Sequence, residues 1–232
     1  MLIILSPAKT FNKDALKVSE DAVISAETSY LLNILKTYSV QQFEDNLAIS
    51  HQIATDVFDY YNNFKNEYYA IYLYGGTAFK YLNAKQLPRT ALKNVYILSA
   101  LYGLINGFDL ISKYRLDLKD KIINGSLTKY WFSKINTEIS RFTDKTIINL
   151  SSGEYGKLLD LSNKNIITIT FGVRKNNKVT SSSMMLKKMR GLMANYLLTN
   201  KINNLKSIEI ENFKYDSKLS TKNLLVFIKE EI

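Results

Sequence analysis

Hydrophobic positions along the chain follow two patterns. Runs that are apolar throughout or alternate with period two read as β-strands: LIIL (2–5), YAIYLY (69–74), NVYILS (94–99), TIINLS (146–151), IITITFG (166–172), SIEIENFKY (207–215) and NLLVFI (223–228). Several are apolar on both faces, as fully buried strands are. Between them, apolar residues recur at helical spacing over 26–38, 50–64, 126–142 and 183–200. The helix at 126 starts from Ser126 as N-cap and repeats apolar residues at Leu127, Trp131, Ile135, Ile139 and Phe142. Strands alternating with helices predict an α/β protein. The alternating IEIENFKY near the end gives it mixed α+β character, with a mixed sheet flanked by helices. Pro7 and Pro88 are the two prolines, and nine scattered glycines mark no linker or repeat, so residues 1–232 are expected to form a single compact domain.

Composition narrows the chemistry. Without cysteine there is no thiolate nucleophile, disulfide or Cys-type zinc site, and peroxide cannot be handled by thiol chemistry. His51 is the single histidine, and no Glu-x-x-His motif accompanies it, which argues against a di-iron bundle site. No metal site and no cofactor are expected. The chain has no apolar run of membrane-spanning length and no signal-peptide start, so a cytoplasmic location without membrane contact is expected. The net charge of +10 is unevenly distributed: residues 1–70 hold 5 basic and 9 acidic side chains, the remainder 26 and 12. A polyanion such as nucleic acid is the natural partner for that second part.

Four segments carry candidate chemistry. After LIIL, the turn at Ser6-Pro7 brings Lys9 to the carboxyl end of a strand, where α/β sheets gather ligands. In ILSALYGLINGFDLISKYRLDL (97–118), Gly103 and Gly107 punctuate apolar stretches ending in Lys113, Tyr114 and Arg115. This is the outline of a helix-hairpin-helix whose glycine turn lets backbone N–H groups approach phosphate. INLSSGEYGKLLD (148–160) ends a strand in serines able to cap a helix and then presents Glu154, Tyr155 and Lys157. No Walker or G-x-G-x-x-G fingerprint occurs. Finally, SSSMMLKKMRGLMANYLLTNK places a methionine-rich stripe on one helix face and Lys187, Lys188, Arg190 and Gly191 on the other. Residues 174–190 hold six basic side chains and no acid. On that cationic face, Gly191 is expected to permit close approach of a polyanion.

SPAKT, LSALYGL, FDLISKYRLDL, the YW at 130 and 131, INLSSGEYGK and KKMRGLM, in this order and spacing, resemble the signature blocks of the YaaA family of peroxide-stress resistance proteins. The resemblance implies a compact α/β fold with a positively charged cleft and a helix-hairpin-helix. It also implies binding to duplex and branched DNA, and a role in surviving peroxide linked to limiting free iron. The chain departs from the family pattern at Asn106-Gly107 and at GGTAFKYL (75–82). Matching positions give Lys9, Gly103, Lys113, Arg115, Lys157, Lys187, Lys188 and Arg190 as DNA-binding candidates, with Ser6, Tyr102, Tyr114 and Tyr155 lining a pocket. A non-enzymatic DNA-binding protein is the favoured expectation. The alternative is an enzyme acting on a nucleotide or damaged nucleic acid, with Glu154 or Asp109 as acid or base.

Overall fold

A computed structural model describes residues 1–19 and 22–231. Its frame is one sheet. β1 (Leu2–Leu5), β3 (Val95–Ser99), β6 (Ile147–Asn149), β7 (Ile166–Lys175) and β11 (Leu224–Glu230) run parallel in the order β3-β1-β6-β7-β11. Antiparallel strands extend it: β4 (Gly103–Asn106) beside β3, β10 (Phe213–Tyr215) beside β11, β9 (Glu209–Ile210) beyond β10, and β8 (Lys178–Thr180) folded back on β7. β2 (Tyr68–Tyr69) and β5 (Leu110–Ile111) form a separate two-stranded ribbon. The mixed sheet and single domain expected from the sequence are observed.

The parallel strands are the apolar runs, and burial explains them. Leu2, Ile3, Ile4 and Leu5 are all at most 2% exposed, because β1 sits between two strands and is covered on both faces. Around the sheet lie α1 (Ala26–Leu35), α2 (Val40–Leu47), α3 (His51–Asn62), α4 (Ala70–Leu73), α5 (Thr77–Leu82), α6 (Arg89–Leu92), α7 (Leu127–Ile139), α8 (Gly153–Gly156) and α9 (Ser183–Thr199). Ser126 caps α7 by accepting from the Lys129 N–H, and Leu127, Trp131, Ile135 and Ile139 are buried as their spacing predicts. Against α9, which lies on β7, packs α5. Among the described residues no helix is long and apolar enough to cross a membrane.

Three expectations need correction. YAIYLY contributes only Tyr69 to a strand and then turns into α4, closed by the Tyr74 N–H on the Ala70 carbonyl. SIEIENFKY is a short hairpin, β9 to β10, rather than one strand. Residues 97–118, read as a helix-hairpin-helix, contain no helix: β3 and β4 pair antiparallel, Asn106 to Asp109 make a tight turn, and β5 follows. Gly103 is required there for packing. Its φ is +76°, and an added Cβ would lie 2.5 Å from the Trp131 ring, whose indole N–H is fixed on the Ala100 carbonyl at 2.8 Å.

Candidate nucleic-acid interface

The connections leaving β1 and β6 depart in opposite directions, β1 toward β3 and β6 toward β7. Adjacent parallel strands of this kind open a crevice beyond their carboxyl ends, because neither outgoing chain covers it. A recess of about 670 Å³ lies there, lined by Leu5 to Thr10 after β1 and by Leu150, Ser152, Glu154 and Tyr155 after β6. Three further segments complete it: Gly75 to Lys80, Tyr114 to Asp117, and Ser183, Lys187 and Arg190 of α9. The last three share one face of the helix at spacings of four and three residues.

Hydrogen bonds hold these segments in place. Ser6 Oγ accepts from the Ser152 N–H at 2.7 Å and joins the loops after β1 and β6. The Gly75 N–H donates to the Thr10 carbonyl (2.9 Å) and the Asn12 N–H to the Leu73 carbonyl (2.7 Å), which ties the loop after β1 to the start of α5. Tyr114 is buried, its hydroxyl shared with Tyr74 and Ser99 at 2.8 Å each, and burial pushes that phenol up to about 12. With Tyr61 donating to the Arg115 carbonyl (3.0 Å), the backbone at 114–115 is fixed and Arg115 lines the recess.

Five cations therefore meet from four stretches: Lys9, Lys80, Arg115, Lys187 and Arg190, against the acids Asp117 and Glu154. Lys9 forms an ion pair with Asp117. Among the described residues the other four cations have no ion pair. Arg190 is half-buried, and that burial lowers its guanidinium from the ordinary value without removing the charge. The recess thus has uncompensated positive charge, partly withdrawn from water, where an anion gains most.

The sequence profile of the family described as "Peroxide stress protein YaaA" matches residues 1–219. This chain belongs to the YaaA family. A UPF0246 protein of Francisella philomiragia is 32% identical over 99% of this chain and the whole of that relative. UPF0246 proteins of Francisella tularensis subsp. tularensis and subsp. novicida show the same identity and coverage.

The YaaA blocks do two separable jobs here. SPAKT, SKYRLDL, LSSGEYGK and KKMRGLM each send side chains to the recess: Ser6 and Lys9, Tyr114 and Arg115, Glu154 and Tyr155, Lys187 and Arg190. Other blocked-in residues serve the fold. Outside the recess, Tyr102 donates to Asn66 Oδ1 (2.7 Å) and accepts from the Ser112 N–H (2.9 Å). Asp109 accepts from the Asn106 N–H (2.8 Å) and closes the turn after β4, with burial raising its carboxyl. Gly103 packs on Trp131. Lys188 turns to Glu211 (2.9 Å) and the Tyr81 ring, Lys113 lies over the Tyr68 ring, and Lys157 is exposed elsewhere. Gly191, expected to face a polyanion, is buried against α5. The basic run 174–190 is divided too, since Arg174 pairs with Asp216 and Glu230 on the sheet. Sequence reasoning missed Lys80, whose only signal was its position after the paired glycines, and Asp117, the partner of Lys9.

Beside the recess, Asp120 accepts from the Asp117 N–H at 2.7 Å. Burial, aided by the Asp117 carboxylate and opposed by that hydrogen bond, Lys119 and Lys9, raises its carboxyl from 3.8 to about 6. A raised acid favours the fold when protonated, so its stabilisation is complete below pH 3.8 and lost as pH rises through about 6. Asp120→Asn keeps an acceptor and removes the charge. Allowing for solvent screening, it is expected to be about 1–2 kcal/mol more stable than wild type at neutral pH. In urea unfolding across a pH series, that gap should close in acid.

Proposed function

We propose that the protein is a cytoplasmic DNA-binding component of the peroxide-stress response, holding duplex or branched DNA largely without sequence specificity. Protection of DNA from oxidative damage, linked to lower free iron, is the outcome this reading assigns to that binding. What supports it is the convergence of Lys80, Arg115, Lys187 and Arg190 on one recess without acidic partners. Flexible ammonium groups and planar guanidinium groups suit phosphate oxygens, and contacts to phosphate carry little sequence information. The cationic site requires no helix-hairpin-helix at 97–118. Duplex affinity should fall steeply with salt, the logarithmic slope being about −0.9 per phosphate neutralised. A labelled duplex titrated at several salt concentrations tests this, and an affinity unchanged from low to moderate salt would contradict it.

The second reading is an enzyme acting on a nucleotide or damaged nucleic acid. Glu154 lines the recess and favours it, whereas Asp109 lies outside. Glu154→Gln separates the two: DNA retention survives under the first reading, and turnover of a substrate collapses under the second.

A further inference from the structure

The recess is much smaller than the nucleic acid assigned to it. About 670 Å³ is a volume suited to a cofactor-sized molecule, within the roughly 300–1,000 Å³ of small-ligand pockets, while the major groove of a duplex alone is about 12 Å wide. A double helix can lie across the mouth but cannot enter. Yet two polar groups belong to the interior. Arg190, half-buried on α9, has no ion pair among the described residues. Tyr155, 5% exposed, lines the same recess, and its hydroxyl is buried without a hydrogen-bond partner in the protein. Every other buried side-chain nitrogen or oxygen of the described residues has one. Such groups are rare because leaving them unpaired is costly, and each calls for a reason, of which a bound water, ion or ligand is one. The site also lies at the carboxyl ends of β1 and β6, where α/β sheets hold nucleotides.

We propose that the recess receives one unpaired nucleotide, its phosphate on Arg190 and Lys187 and its sugar or base turned toward Tyr155. Lys187 and Arg190 stand on one helix face with Ser183, so a single phosphate can meet both cations while the rest of the nucleotide passes between the loops after β1 and β6. The nucleotide could belong to a DNA strand whose base has left the stack or be a free mononucleotide; the chemistry of recognition is the same. The inference rests on the anion-binding part of the proposed function and not on duplex contact.

Calorimetric titration of the full chain with deoxyadenosine monophosphate, deoxyadenosine and inorganic phosphate tests it, alongside labelled duplexes with and without one unpaired terminal nucleotide. The monophosphate is expected to bind about tenfold or more tighter than deoxyadenosine and than phosphate. Lys187→Gln should weaken it severalfold, and Tyr155→Phe should weaken it while keeping or raising the melting temperature of the free protein, because the unpaired hydroxyl is removed. Preference for the duplex with the unpaired nucleotide identifies a DNA strand as the source, and equal binding of the duplexes beside tight monophosphate binding identifies the free nucleotide. Monophosphate and deoxyadenosine binding equally, or neither binding, overturns the proposal. Duplex affinity retained without monophosphate affinity overturns this inference alone, and monophosphate affinity without duplex affinity overturns the proposed function alone.

Discussion

Gly191→Ala is expected to destabilise the protein by about 2–3 kcal/mol, although alanine is the better helix former by about 1 kcal/mol. The methyl group would sit 2.2 Å from the Ala78 carbonyl oxygen and 2.8 Å from Tyr81 Cβ, both fixed parts of α5. No rotamer change can relieve a clash with backbone, so α9 and α5 must separate. Those helices carry Lys187 and Arg190 on one side and Thr77 and Lys80 on the other, so their separation also spreads the cations of the recess. Denaturant midpoints measure the effect. Gly153→Ala serves as the control, because an added Cβ there meets nothing within 4 Å and the change should stay within about 0.5 kcal/mol.

Replacing Lys80 and Lys187 together by glutamine is expected to weaken duplex DNA binding on the order of tenfold or more at moderate salt, with the fold intact. Both side chains are exposed and neither has an acid partner among the described residues, so their removal strands no buried charge. Lys9 is a poorer probe. It already neutralises Asp117, whose side chain is only 11% exposed, and Lys9→Gln would leave that carboxylate buried and unpaired, mixing a loss of stability with any loss of binding. Equilibrium binding to a labelled duplex, with a melting curve for each variant, separates the two effects.

Much of the recess was legible because its residues stand where apolar runs end. Lys9 follows LIIL, and Glu154 and Tyr155 follow TIINLS; strand ends in a parallel sheet share one side, so these positions had to converge. Helical spacing likewise put Lys187 and Arg190 on one face, yet it could not tell which neighbours of that face contact protein. Gly191 looked accessible only because α5, distant in sequence, was not visible beside it. The segment 97–118 failed for another reason. Its glycines fit a helical corner and a β-turn equally well, and the decisive features, Asn106 accepting from the Phe108 N–H and Asp109 accepting from the Asn106 N–H, belong to the folded turn. YAIYLY is rich in strand-forming residues but lies where the Ala70 and Ile71 N–H groups are taken by the Asp109 and Gly107 carbonyls, and a helical turn follows. The pairing of Lys9 with Asp117 spans most of the first half of the chain and left no local signature.

Under the proposed function the recess, and not basic charge in general, engages the phosphate backbone. The most direct test compares the salt dependence of duplex binding for wild type, for Lys80→Gln with Lys187→Gln inside the recess, and for Lys113→Gln with Lys157→Gln outside it. The recess pair should reduce the magnitude of the logarithmic slope by about 1.8, and the outside pair should leave it unchanged. Equal reductions for the two pairs, or a larger one for the outside pair, would contradict the account.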